Sequence, residues 1–222
     1  MISNRDILKI AALCIVAAAL ASVGCSSGGG TEPPPPYDVD GNLASAWTKF
    51  TAKDYAGAET VFTDVINHAG DNAQAYMGRG WCRALETEFA TAVTDFNDAI
   101  DKGLTTADAY MGLAAIYRDY PAGNPDYTAA IDYASEVLDI DTNYVFSRNV
   151  RFNYKDARLI KAQCYFRLGP DYFLLAHIEV NHLCDYYSHE TDPLPSPDTF
   201  APGDYEVALG EKIERLSDLI GR

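Results

Sequence analysis

The chain has 222 residues, enough to bury a sizeable core as one domain, and it carries 32 acidic against 17 basic side chains, a formal charge of −15. So acidic a surface repels phosphate backbones and argues against nucleic acid as a partner, while it favours solubility and cationic protein segments. Five cysteines are present, and none has the C-x-x-C spacing of a zinc or redox site.

In chain order, Met1 to Lys9 carries Arg5 and Lys9, Ile10 to Leu20 is an unbroken apolar run, and Ser22-Val23-Gly24-Cys25 closes it with small residues before a cysteine. The run is too short to span a bilayer and reads as the core of a signal peptide. These residues resemble a bacterial lipoprotein signal. The resemblance implies loss of residues 1–24, a lipid on Cys25 and, with Ser26 rather than Asp following, sorting to the outer membrane. Ser22 departs from the aliphatic residue usual three before the cysteine. Residues 25–37, with Gly28-Gly29-Gly30 and Pro33 to Pro36, have too little apolar surface to fold and read as a tether. Asp38-Val39-Asp40-Gly41-Asn42 looks calcium-like, but the twelfth position of such a loop is Lys49 rather than Glu. Helix capping by Asp40 or Asn42 is the reading kept.

Residues 38–222 are expected to form one helical repeat domain. Ala73-Gln74-Ala75-Tyr76-Met77-Gly78 returns 34 residues later as Ala107-Asp108-Ala109-Tyr110-Met111-Gly112, and Phe62 and Phe96 keep the same offset. A period of this length means one pair of helices per unit. The first unit holds Trp47, Phe50, Tyr55, Ala58 and Phe62, with a break near Ala52-Lys53-Asp54. The second holds Tyr76, Gly80, Phe89, Ala92, Phe96 and Ala99. The third begins on the same phase, but Pro121 to Pro125 swell its turn, so the alanine matching Ala92 is Ala130, 38 residues on. Tyr144 to Tyr154 contains Phe146, Arg148, Arg151 and Phe152 without helical order. It reads either as a functional loop or as a strap over the repeats. A degenerate fourth unit follows, with Leu175 or Ala176 at the key alanine. After the proline-rich stretch 192–203, Asp204 to Ile220 reads as an amphipathic cap with Val207, Leu209, Ile213, Leu216 and Ile220 on its apolar side.

Large and small residues at these places resemble the tetratricopeptide repeat (TPR) family. The resemblance implies an all-α, right-handed superhelix of three to four helical hairpins plus a C-terminal capping helix, acting as a scaffold for other proteins without catalysis or cofactor. In that family the first helix of each unit lines the concave face. With Val39, Ala73, Ala107 and Lys155 as first positions, the resemblance assigns Leu43, Met77 and Met111 to that face through the fifth position. The ninth adds Trp47, Trp81 and Gln163, and the twelfth adds Phe50, Arg118 and Phe166. This strip is either an open binding groove or core, covered by the tether, by the 144–154 segment or by the last helix.

Cys82 and Cys164 share the tenth, inward-facing position and are expected as buried thiols, two repeats apart and too distant to bridge. Cys164 with Cys184 is the one pairing left, and about two helical turns separate them. His177, Glu179, His182, Cys184, Asp185 and His189 are the one cluster with metal-ligand chemistry. His182 and His189 lie roughly 10 Å apart along their face, too far for one ion, so the cluster reads as a polar face. The function expected is that of an envelope scaffold, lipid-anchored and facing the periplasm, with protein partners. The alternative is an assembly factor for an outer-membrane or pilus complex.

Overall fold

The computed structural model describes residues 36–119, 125–187 and 191–221. The expected leader, Cys25, nearly all of the tether, the inserted turn residues 120–124 and His189 lie outside them. The helices below all belong to the unit Asp38–Arg222.

Most helices start where a short polar side chain satisfies a free backbone N–H. Asp38 accepts from Gly41 N at 2.9 Å and opens α1 (Val39–Thr51), and Asp54 accepts from Gly57 N at 3.1 Å and opens α2 (Tyr55–His68). Asn72 caps α3 (Ala73–Leu85), which is followed by α4 (Phe89–Asp101) and α5 (Asp108–Asp119). Asp126 caps α6 (Tyr127–Ile140), and a reciprocal box of Asn153 and Asp156 opens α7 (Tyr154–Leu168). A single 3₁₀ turn at Pro170–Tyr172 leads into α8 (Phe173–Tyr186), and α9 (Asp204–Ile220) follows a connector. The cap of the first helix is Asp38, not Asp40 or Asn42. Gly41 supplies the N–H that Asp38 needs, and the Asn42 side chain turns back to donate to the Asp38 carbonyl at 2.7 Å.

Consecutive helices pack on one another as four hairpins, α1/α2, α3/α4, α5/α6 and α7/α8, with α9 against α7 and α8. This is an all-α, TPR-like superhelix with a terminal capping helix; among the described residues the one β-pairing is an isolated bridge between Val145 and Asn153. The shared alanine of the second helices is fully buried in every hairpin, at Ala58, Ala92, Ala130 and Ala176, so the fourth unit keeps its phase with Ala176 rather than Leu175. The turns after α1 and α3 place Lys53 and Thr87 at φ 64° and 67°, the left-handed conformation that usually falls to glycine.

The C-terminal core gathers Leu159, Phe173, Val180 and Leu183 with Leu209, Ile213 and Leu216 of the cap. Val207 is not part of it: it is exposed, because the buried ridge of α9 runs through Leu209, Ile213 and Leu216 at steps of four and three, off the azimuth of Val207.

Candidate functional site

The first helices carry the expected strip, and the chain itself covers much of it. Leu43, Trp47, Phe50, Met77, Trp81 and Met111 are all buried. The cover is the segment between α6 and α7. Its two ends are tied by Phe146 N–H donating to Phe152 O and Tyr154 N–H donating to Tyr144 O, both at 2.8 Å. Phe146, 1% exposed, stacks on Trp81 with ring centroids 4.8 Å apart and meets Trp47 and Phe50 edge-on at 6.4 and 6.2 Å. Phe152 leans on Trp81 at 4.7 Å, and the Arg148 guanidinium lies 5.1 Å over the Trp47 ring.

Asp108, at the start of α5, holds this strap from below. Its carboxylate accepts from Tyr144 Oη at 3.0 Å and from Thr106 Oγ1 at 2.7 Å, and its carbonyl accepts from Trp81 Nε1 at 3.1 Å. Burial beside that carboxylate pushes the Tyr144 hydroxyl far above its ordinary pKa, so it stays a donor. The sequence signal for the strap was its run of aromatic residues; nothing local tied Tyr144 to an aspartate 36 residues earlier.

The remaining three residues of the strip lie elsewhere. Arg118, Gln163 and Phe166 line a cleft of about 530 Å³ between α5, α7 and α9, together with Arg167, Ile213 and Glu214, and no other described segment covers it. Arg118 donates to its neighbour Asp119 through Nε and Nη2, at 2.9 and 2.5 Å, and to Gln163 Oε1 at 3.2 Å. Arg167 is exposed on the cleft and makes no ion pair with any described residue. A smaller recess of about 170 Å³, walled by Trp81, Leu85, Phe89, Ile116 and Phe152, shares Arg118 and Asp119 with the cleft. An apolar socket therefore opens beside a charged trough, an arrangement that fits a side chain and the backbone that carries it.

Of the ligand-like cluster, His177, Glu179 and Cys184 on α8 are engaged in structure, whereas His182 and Asp185 are exposed. Glu179, buried, accepts from Arg158 and Lys161 at 2.8 Å each. His177 meets Asn181 Nδ2 at 2.9 Å and Tyr205 Oη at 3.2 Å, and burial lowers its pKa. Cys82, Cys164 and Cys184 are free and buried, and desolvation pushes the first two thiols up to about 12. Sequence reading missed Asp95. It is 1% exposed on α4 and accepts from Arg79 at 2.7 and 3.0 Å and from Arg83 at 2.8 Å, while Arg83 also reaches Glu59 of α2 at 2.8 Å. The available signal was Arg79 and Arg83 one turn apart on α3, facing an acid on the helix that follows.

No protein-family model matches the chain, and no curated protein sequence matches it. Among solved structures, the chain is similar to the crystal structure of YrrB, described as a TPR protein with an unusual peptide-binding site. The likeness covers 82% of this chain and 87% of that one, with a TM-score of 0.56 and 13% identity. The fold is thus that of a TPR-like helical repeat protein.

Proposed function

We propose that the protein is a lipid-anchored interaction scaffold of the bacterial cell envelope, which holds an extended segment of a partner protein in the cleft between α5, α7 and α9. The observation that carries this reading is the division of the concave face. Its first part is closed by the chain's own strap, whereas Arg118, Gln163, Phe166 and Arg167 line about 530 Å³ that no described segment fills. Likeness in fold to a TPR protein described as having a peptide-binding site supports a peptide segment as the kind of ligand. Arg167, exposed and in no ion pair with a described residue, gives the cleft a basic group that suits a carboxylate on the bound segment. The envelope address rests on the leader and Cys25, and the outer membrane on Ser26; two or more acyl chains hold a domain stably on a bilayer.

Photo-crosslinking from position 167 of the full chain in its native membranes tests the cleft, with the outward position 94 as control. A discrete protein adduct from 167 alone supports the reading, and equal yields from both positions remove it. A single stoichiometric partner fits a scaffold, and a multi-protein complex fits the assembly factor. Fatty-acid labelling of the wild type, lost in Cys25→Ser, tests the anchor.

A further inference from the structure

The second helices of the four hairpins start in register, at Tyr55, Phe89, Tyr127 and Phe173, each with its buried alanine three residues on. The same register lines up their outward faces. One residue after the start stand Ala56, Ala90 and Thr128, but Leu174 in α8. Five after it stand Thr60, Thr94 and Asp132, but Ile178. Nine after it stand Asp64, Asp98 and Glu136, but His182. Leu174 is 59% exposed, Ile178 45% and the adjoining Leu175 42%. Positions that three helices give to small, polar and acidic side chains are therefore large and apolar on the fourth, ending in a histidine where the others carry an acid. Exposed apolar side chains gathered on one helix face mark an interaction surface, and the other three hairpins show that the fold itself does not ask for them.

We propose that this face of α8 joins two copies of the chain, with the two α8 helices packed antiparallel about a twofold axis beside Ala176 and His177. Charge and symmetry select a second copy as the occupant. Two chains of −15 repel over most of their surface, but at Leu174, Leu175 and Ile178 they meet without apposing charges. A twofold interface needs a patch that complements itself. Antiparallel pairing about this axis sets Leu175 of one copy against Ile178 of the other. It also brings each exposed His182 to the exposed Asp171 of the other copy, since the two lie equally far from the axis. The acids that occupy the His182 position in α2, α4 and α6 would instead repel that aspartate. Packing of helix on helix at about 8–10 Å then removes the leucine and isoleucine side chains from water.

The test uses the full chain. Ile178→Cys, oxidised mildly in native membranes, should yield a disulfide-linked dimer of the chain, because position 178 lies next to the axis and Cys82, Cys164 and Cys184 are buried. Thr94→Cys, outward on α4 in the same register, should give no disulfide-linked dimer. Sedimentation of the detergent-solubilised wild type should give twice the chain mass, and Ile178→Glu should weaken association by at least about tenfold with the helical circular dichroism unchanged. A wild type of single-chain mass that also fails to crosslink at 178 overturns the proposal. So does a crosslink from 178 to a different protein, or release of Ile178→Glu from lipid vesicles without any change in mass, either of which assigns the face to another occupant.

Discussion

The ring of Phe96 fills the space that a Cβ on Gly112 would occupy, and Phe62 stands in the same relation to Gly78 one repeat earlier. Each of these two hairpins thus lodges its phenylalanine against a bare stretch of backbone on the next helix. Gly112→Ala should destabilise the protein by about 1–3 kcal/mol through overpacking, although alanine normally favours a helix by about 1 kcal/mol. Urea midpoints decide, and a stabilised variant would show that the ring has room to move. The register puts Ala134 and Ile160 at the corresponding places one repeat on, both buried, with the large and small partners exchanged.

Asp95 is the common acceptor of Arg79 and Arg83, and through Arg83 it connects α4 and α3 to Glu59 of α2. Asp95→Asn leaves two guanidinium groups short of their carboxylate and should cost about 3–5 kcal/mol. Glu59→Gln, at the more exposed end of the network, should cost clearly less. Equal losses in thermal unfolding would mean that the cluster is a surface network and not a buried clamp.

Phe146 is the centre of the strap. Its truncation to alanine removes contacts with Trp47, Phe50 and Trp81 together and should lower stability by about 3–5 kcal/mol. Tryptophan emission should shift to the red as Trp47 and Trp81 gain water. Unchanged emission and midpoint would show that the strap does not close the face in solution.

Asp156, in the capping box of α7, has its carboxyl pushed up to about 6 from 3.8, because burial outweighs the pull of backbone N–H groups, Arg118 and Lys155. The folded chain therefore binds this proton more tightly than the unfolded chain does. The resulting stability is fully present below about pH 4 and is lost as pH rises through 6. Asp156→Asn keeps an acceptor for the Asn153 N–H and has no such titration. The variant should gain on the wild type as pH climbs from 4 to 7, measured as the difference between their unfolding midpoints. A difference that does not vary with pH would contradict this.

Repetition made the architecture readable. Tyr76 with Tyr110 and Ala58 with Ala92 declare both the period and the packing phase, and the phase persists to Ala176. What escaped depends on contacts distant in sequence. Asp95 looks like any solvated acid until Arg79 and Arg83 of the preceding helix are placed over it. The concave strip was legible as a set of positions, but whether Trp47 and Trp81 face water depends on where Phe146 and Phe152 come to rest. Val207 was misjudged for a local reason, a polar azimuth on a helix whose apolar stripe is narrow.

Helical repeats stacked side by side touch only their neighbours, so such arrays unravel from their ends. Phe146 changes that here, because it lies against Trp47 and Phe50 of the first helix although almost one hundred residues of chain intervene. The opening hairpin cannot fray without releasing the segment that follows the third. The array should therefore melt as a single cooperative unit, and it should refold slowly for a helical protein, since one of its central contacts must wait for a long loop to close.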